Sequence, residues 1–368
     1  MHFARLVAAA LIALALPSGG ARGAAGAGEM PKASDSEIGS IWDDWTFIPL
    51  AFYNPETSLG FGVAVIHTFD LTGGDAPQSS NVSVGVMHTL ENQTITQVAP
   101  ELRYRGFLGK TTVKYQRYPT RYFAPGSGVE DEGERYDEES FETEVQVGYD
   151  VLPGLGVGML YRLRLNEVLS VKAGGVLDGT GDRGLAPFLA SGVGPELLYD
   201  SRDAIRAPTR GMLHRLNVLF YGGAVGSDVT AAQMMLDLRG YVPLGGEHVL
   251  ALQGLVQLTS GRLPFQLLPQ LGGPDRMRGW FRGQLRDEDL MAVQAEWRFP
   301  LVGRLGGVVF ASAGTAFSRV DTLGTDDLRA DGGVGLRFAL NRPQRVNLRV
   351  DLAYGSEFQF YVDVLEAF

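Results

Sequence analysis

The sequence predicts an all-β protein, a transmembrane antiparallel β-barrel of about sixteen strands. Segments of about ten residues alternate between apolar and polar side chains, as do strands whose two faces meet different surroundings. After the N-terminus, no apolar run approaches the roughly 18 residues of a membrane helix. The 49 glycines and the 10% aromatic residues are spread along the chain, which is typical of many strands joined by turns.

The N-terminus has the pattern of a secretory signal peptide. His2 and Arg5 precede an apolar stretch from Leu6 to Leu16, and small residues follow through Ala27. We therefore predict a signal peptide at 1–27, a short periplasmic segment at 28–45 and the barrel at 46–368.

Composition and motifs argue against several classes of function. The chain has no cysteine, which excludes disulfides and thiolate metal sites, and its net charge of −10 disfavours nucleic acid as a partner. A glycine-rich stretch at 179–184 formally matches a dinucleotide fingerprint, but Pro187 follows where a helix would begin. No nucleophile elbow or zinc-protease motif occurs. We expect no enzyme, no catalytic residues, no metal and no cofactor.

Period-two alternation is clearest at 141–151 and 345–354, where one face is apolar and the other is largely charged or polar. A water-soluble sandwich would alternate in the same way, but segments of about ten residues match tilted membrane strands better than the usual five or six. Connections are alternately long and short, as extracellular loops and periplasmic turns are, except near Asn92 and at 71–80. The predicted strands are 46–53, 60–69, 81–90, 93–104, 109–118, 140–151, 155–166, 190–201, 211–222, 229–242, 247–260, 288–299, 306–317, 331–341, 345–354 and 358–367.

The last predicted strand carries an apolar face and ends on an aromatic residue. The residues of that face are Phe358, Phe360, Val362, Val364 and Phe368. This strand resembles the signal that outer-membrane assembly machinery recognises. Glu366 is expected to interrupt the face near the membrane interface, where a charge costs less than at the midplane.

One cluster, Met277-Arg278-Gly279-Trp280, lies in a Gly/Pro-rich connection between two strand-like segments. It resembles the sixth extracellular loop of BamA/TamA-like outer-membrane proteins (the bacterial surface antigen family), where a (Val/Ile)-Arg-Gly-(Phe/Tyr) tip folds back into the barrel. The resemblance implies that the loop 261–287 lies in the lumen.

Further stretches extend the resemblance over nearly the whole mature chain. A turn between mid-barrel strands is similar to the family's Asp-x-Arg-Asp…Pro-x-x-Gly motif, although a solvated turn is the alternative. Its residues are Asp200, Arg202, Asp203, Pro208 and Gly211. The segments 296–300 and 333–338 resemble family strands, and 49–62 resembles the opening hairpin of the short members. Those members lack periplasmic POTRA domains, and 28–45 is too short to form one.

The resemblance and the alternation together predict a latch. Trp297 lies on the lipid face, so Glu296 points into the lumen, where it can accept bidentate hydrogen bonds from Arg278. Gly279 permits close backbone approach beside Trp280. Family members usually supply an Asp from the next strand, and here Ser312 stands in its place. Alternatively, Glu296 pairs with Arg298 or another luminal arginine.

By resemblance, the protein would insert or translocate proteins at the bacterial outer membrane. Its expected partners are membrane lipid and lipopolysaccharide, the assembly machinery that inserts it, and a β-barrel client or a separate periplasmic partner. The acidic run 130–139, predicted in a loop, would bind cations that bridge lipopolysaccharide or would simply be solvated. Pro49 marks either a weak seam between the first and last strands or only a strand start.

The competing function is a passive channel. Luminal charges would then tune selectivity. They are Arg162, Arg164, Asp237, Arg239, Arg337 and Arg349.

Overall fold

The computed structural model describes residues 45–71, 80–126, 132–318, 327–342 and 345–368. Within them, sixteen strands form a closed antiparallel barrel, and two very short strands pair separately. The barrel strands are β1 Trp45–Asn54, β2 Ser58–Phe69, β3 Ser80–Thr89, β4 Thr94–Tyr104, β5 Phe107–Tyr122, β6 Glu134–Leu152, β7 Leu155–Val171, β8 Phe188–Asp200, β9 Gly211–Tyr221, β10 Ala231–Gly245, β11 His248–Gly261, β14 Asp289–Val302, β15 Leu305–Phe317, β16 Arg329–Asn341, β17 Val346–Tyr354 and β18 Phe358–Val364. The short pair is β12 Gln270–Leu271 and β13 Leu285–Arg286.

The predicted barrel class is confirmed. The predicted signal peptide and the segment 28–44 lie outside the described residues. A one-turn helix, Val176–Gly179, and three 3-10 turns, Arg183–Leu185, Gly223–Val225 and Phe265–Leu267, occupy connections between strands. No helix in the described ranges has both the length and the apolar character needed to cross a membrane.

The two ends of the barrel differ in their connections. The loop end carries the connection 262–288, and the turn end carries short turns such as 105–106 and 153–154. The tight connection 90–93 lies at the loop end and the longer one that begins at Asp70 lies at the turn end, so both remain exceptions to the alternation. Residues 72–79 are outside the described part of the chain.

Strands β5, β6 and β7 extend further toward the loop end than predicted. The acidic residues from Glu134 to Glu139 therefore belong to β6, and the prediction that they lie in a surface loop is wrong. Glu138 is buried and pairs with Arg164 at 3.1 Å. From Glu134 to Glu139 both faces of β6 carry mostly polar side chains, so the alternation disappears from the sequence while the backbone ladder continues. Residues 127–131 are not among those described.

The two strand faces differ as membrane and lumen require. On β6, Val147 is 55% exposed and its neighbour Gln146 is 8% exposed. On β14, Trp297 is exposed while Glu296 is fully buried. Apolar side chains thus point outward and polar ones inward, which is the arrangement of a barrel in lipid.

The end of the last strand corrects one prediction. Phe358 and Phe360 point outward, but β18 stops at Val364 and Leu365 adopts a φ of +79°. This reversal turns the following residues inward, so the placement of Glu366 and Phe368 on the lipid face was wrong. Glu366 pairs with Arg337, whose Nε lies 2.7 Å away, and Phe368 joins a buried cluster with residues of β10 and β11.

The barrel closes through a thin seam between β1 and β18. Tyr53 and Val362 form the one register pair that joins these described strands. On its other side, β1 pairs with β2 continuously from Trp45–His67 to Asn54–Ser58. Most of one β1 edge, which includes Pro49, therefore has no ladder partner in β18.

Candidate functional site

The connection between β11 and β14 folds into the lumen, and we refer to residues 262–288 as the folded-in loop. The pairs Gln270–Arg286 and Leu271–Leu285 hold its two arms together. An apolar cluster fixes it to the inner wall. The loop contributes Leu271, Met277, Trp280 and Leu285, and the wall contributes Leu255 and Leu290.

Arg278, at the tip of the loop, bonds two carboxylates on different strands. Its Nη2 lies 2.6 Å from Glu296 Oε2 on β14, and its Nη1 lies 2.7 Å from Asp351 Oδ2 on β17. The guanidinium carbon lies 3.4 Å from the centroid of the Phe310 ring on β15. All three charged side chains are at most 1% exposed, so water cannot replace these bonds.

The same carboxylates contact further arginines of the wall. Glu296 Oε1 accepts a hydrogen bond from Arg298 Nε at 2.7 Å, and Asp351 Oδ1 accepts one from Arg337. Both partners considered for Glu296, Arg278 and Arg298, therefore contact it, one at each oxygen. Glu366 pairs with Arg337, and Arg349 lies 3.8 Å from Asp351 and 3.1 Å from Asp363, so this network sets four arginines against four carboxylates. Because the opposite charges balance, the network can be buried without leaving a charge unpaired.

Gly279 brings the loop backbone against the wall. Its N–H donates to Asp331 on β16, and its carbonyl accepts from Ser356 N at 3.1 Å. A Cβ at this position would lie 2.5 Å from the backbone nitrogen of Gly355, closer than real Cβ contacts come. Only glycine fits this approach without displacement of the backbone.

Ser312 and Trp280 also lie at the tip. The Ser312 hydroxyl donates to Asp331, so Ser312 reaches the loop through that carboxylate rather than through Arg278. Trp280 Nε1 donates to Ala330 O at 3.3 Å. The structure thus brings together Arg278, Gly279, Trp280, Glu296 and Ser312.

A second anchor ties the loop to the first hairpin. Arg282 Nε lies 2.9 Å from Glu56 Oε2, and Arg282 N donates to Glu56 Oε1 at 3.1 Å. Glu56 belongs to the turn between β1 and β2, and its side chain is 2% exposed. The folded-in loop therefore contacts β16 and β17 on one side of the seam and the β1–β2 turn on the other.

The other predicted residues lie away from the tip. The turn motif is at the opposite end, where Asp200 pairs with Arg202 at 2.8 Å. Gly211 there has a φ of +99°, and a Cβ would lie 2.2 Å from Ser201 O. Phe358, Phe360, Val362 and Val364 lie on β18, while the Phe368 carbonyl accepts from Arg298 Nη2 at 3.0 Å.

Sequence reasoning missed Asp331, Asp351, Glu56 and Arg282. Alternation places Asp351 and Asp331 on the inward faces of their strands, so the sequence could have predicted that both carboxylates point into the lumen. Which carboxylate meets Arg278 depends on how the strands are staggered, which alternation does not reveal. Glu56 and Arg282 are 226 positions apart, and no local pattern links them.

Space remains in the lumen beside the loop. A cavity of about 550 Å³ lies between the loop and the wall. Its charged lining includes Lys114, Glu142, Arg164, Arg282 and Asp363. The folded-in loop narrows the lumen without filling it.

Comparison with known proteins identifies the family. Residues 53–362 match the Omp85 superfamily domain. Among solved structures, BamA from Haemophilus ducreyi lacking POTRA domains 1–3 matches with a TM-score of 0.60 and 14% identity over 87% of this chain and 70% of that one. CdiB from Acinetobacter baumannii matches with 0.60 and 12% over 87% and 59%, and CdiB from Escherichia coli with 0.58 and 10% over 88% and 62%.

The chain thus spans less than two thirds of either CdiB chain. No curated protein sequence matches it. The structural likeness, at this identity, shows a shared barrel fold, and the domain match covers most of the chain. The chain therefore belongs to the Omp85 superfamily, and its barrel is a bacterial outer-membrane barrel.

Proposed function

We propose that this barrel assists the insertion of β-rich proteins into the outer membrane, or their translocation across it. The folded-in loop would hold the seam until a client arrives. One observation carries the proposal: the loop has buried anchors on both sides of a seam that a single register pair closes.

The exposed backbone of β1 gives the proposal a physical basis. From Trp45 to Phe52, the edge of β1 that faces β18 lacks ladder partners. Unpaired N–H and C=O groups at a sheet edge are a template for another strand. Pro49 has no N–H, which limits pairing in the middle of this edge. A client strand would pair there without any cofactor or covalent step.

The partners follow from this mechanism. The outward apolar face would contact lipid, and lipopolysaccharide would surround the loop end. A client with an unpaired strand would approach from the turn end, delivered by a separate periplasmic partner. The assembly machinery would insert the barrel itself, with the outward face of β18 as its signal.

A passive channel is the second candidate, and the charged luminal cavity of about 550 Å³ favours it. The two functions respond differently to release of the loop. A channel would conduct more, whereas an assembly barrel would lose control of its seam and accelerate client folding less.

Folding of a β-barrel client into liposomes tests the proposal. Liposomes that contain the parent protein should fold the client faster than empty ones, and Arg278→Ala should remove most of this acceleration. Arg103→Ala is the matched control, because Arg103 forms a partly exposed luminal pair with Glu101 remote from the loop. Equal client folding with parent and empty liposomes, together with steady conductance, would favour the channel and refute the proposal.

A further inference from the structure

The turn that connects β8 and β9, residues 201–210, contacts a turn far around the barrel. Arg345, in the turn between β16 and β17, donates from Nη1 to Asp203 Oδ2 at 2.8 Å and to Ala207 O at 3.3 Å. Strands β9, β10, β11, β14, β15 and β16 separate the two turns along the wall. These are six of the sixteen strands, somewhat more than a third of the barrel circumference, so the turn 201–210 extends across part of the opening.

The turn is built to hold this position. Asp203 Oδ1 accepts hydrogen bonds from Thr209 N at 2.9 Å and Arg210 N at 3.2 Å, and its Oδ2 accepts one from Thr209 Oγ1 at 2.6 Å. Burial raises the pKa of Asp203, but the hydrogen bonds from Thr209 and Arg345 outweigh it and hold that pKa well below its ordinary value. Asp203 thus stays charged and both shapes the turn and pairs with Arg345.

A second segment narrows the same opening. After β18, residues 365–368 run inward, and Phe368 packs against Tyr241 on β10 and Val249 on β11. Between the turn 201–210 and the wall lies a cavity of about 500 Å³. Its lining includes Pro208, Arg298, Arg337, Asn347 and Glu366.

We propose that the turn 201–210, fastened by the Asp203–Arg345 pair and completed by residues 365–368, closes the lumen at the turn end. The fastening pair shares no residue with the anchors of the folded-in loop. The folded-in loop and the turn 201–210 therefore obstruct the lumen one after the other, and solutes or polypeptides entering from the turn end must first displace this turn.

Cross-linking tests the position of the turn. The natural chain has no cysteine, so Ala207→Cys with Asn347→Cys gives two unique thiols that line the same cavity. A short bifunctional maleimide should join them in the refolded barrel. Adding Arg345→Gln should lower the cross-linking yield several-fold. Adding Arg342→Gln should not, because Arg342 bonds Gly303 O in the adjacent turn.

Thiol accessibility tests closure itself. Gln253→Cys places a reporter on the inner wall, in a cavity that Ala367 also lines. Its modification by a charged thiol reagent should accelerate several-fold with Arg345→Gln and remain unchanged with Arg342→Gln. Heat-modifiable gel migration verifies that each variant is folded. If the parent pair does not cross-link, or if Arg345→Gln leaves the modification rate unchanged, the proposed closure is wrong.

Discussion

Arg278 shows why this loop tip requires opposite charges. An arginine does not lose its proton in proteins, so a buried guanidinium must be paired. Glu296 and Asp351 do this from strands on different parts of the wall, and the Phe310 ring covers the guanidinium face. The bonds are therefore both strong and specific in geometry.

Loss of either partner should release the loop. Arg278→Ala and Glu296→Ala should each destabilise the docked loop by about 3–5 kcal/mol, because a buried charge loses one of its partners. The double variant should lose much less than the sum of the two. Limited proteolysis of the loop measures the release. Arg103→Ala, at a partly exposed pair, should cost about 1 kcal/mol or less.

Additive losses would contradict the coupling between Arg278 and Glu296. So would a loop that stays equally protected from protease in both single variants and the parent.

Gly279 gives a steric test of the same docking. In Gly279→Ala, the new methyl group would meet Gly355 N at 2.5 Å, so the tip should withdraw and expose the loop to protease. Gly240→Ala in β10 is the matched control, because a Cβ there meets nothing within 4 Å. Equal protease protection of both variants would show that the tip does not need this close approach.

At this scale the sequence predicted part of the site. The motif identified Arg278, and alternation turned Glu296 inward. Asp351 and Asp331 also lie on inward faces, but their contact with the loop depends on strand stagger across several hairpins. The Glu56–Arg282 pair joins the first hairpin to the loop and requires the closed barrel to exist.

At the scale of strands, the alternation of faces is the strongest prediction from sequence. It located β9 and β14 within a few residues and oriented Trp297 outward. The alternation failed as a guide where the two faces of a strand no longer meet different surroundings. At the loop end of β6 both faces carry mostly polar side chains. After Val364 the chain reverses at Leu365, and attraction between Glu366 and Arg337 holds it inside.

Paired substitutions test the face assignment. Val147→Lys should lower the free energy of unfolding from the membrane by about 2–4 kcal/mol if the residue lies near the midplane, whereas Gln146→Lys should cost little. The reason is that Val147 faces outward and Gln146 faces the lumen. Denaturant titration of folding into lipid vesicles measures the difference. Equal tolerance of the two lysines would contradict the assignment.

At the scale of the whole molecule, the described strands form a closed wall whose weakest junction joins β1 and β18. Ladders such as β6 with β7 run the length of the strands, whereas β1 and β18 meet at Tyr53 and Val362. The folded-in loop reaches both sides of that junction from within. Sequence could suggest the seam through Pro49, but the inward turn of residues 365–368, which shortens the ladder, was visible only in three dimensions.

A disulfide between β1 and β18 tests whether these strands must separate for a client to fold. Opposed residues of an antiparallel pair have Cα atoms about 4.5–5.5 Å apart, which suits a disulfide. Tyr53→Cys with Val362→Cys should therefore lock the seam when oxidised. Val147→Cys with Met159→Cys is the matched control, because it cross-links a ladder that stays closed.

Client folding into liposomes is then measured with each protein oxidised and reduced. We expect oxidation of the Tyr53–Val362 variant to abolish the acceleration and reduction to restore it, while the control pair is active in both states. Equal acceleration by the oxidised and reduced seam variant would contradict the proposed route, because it would show that the client does not enter the membrane between β1 and β18.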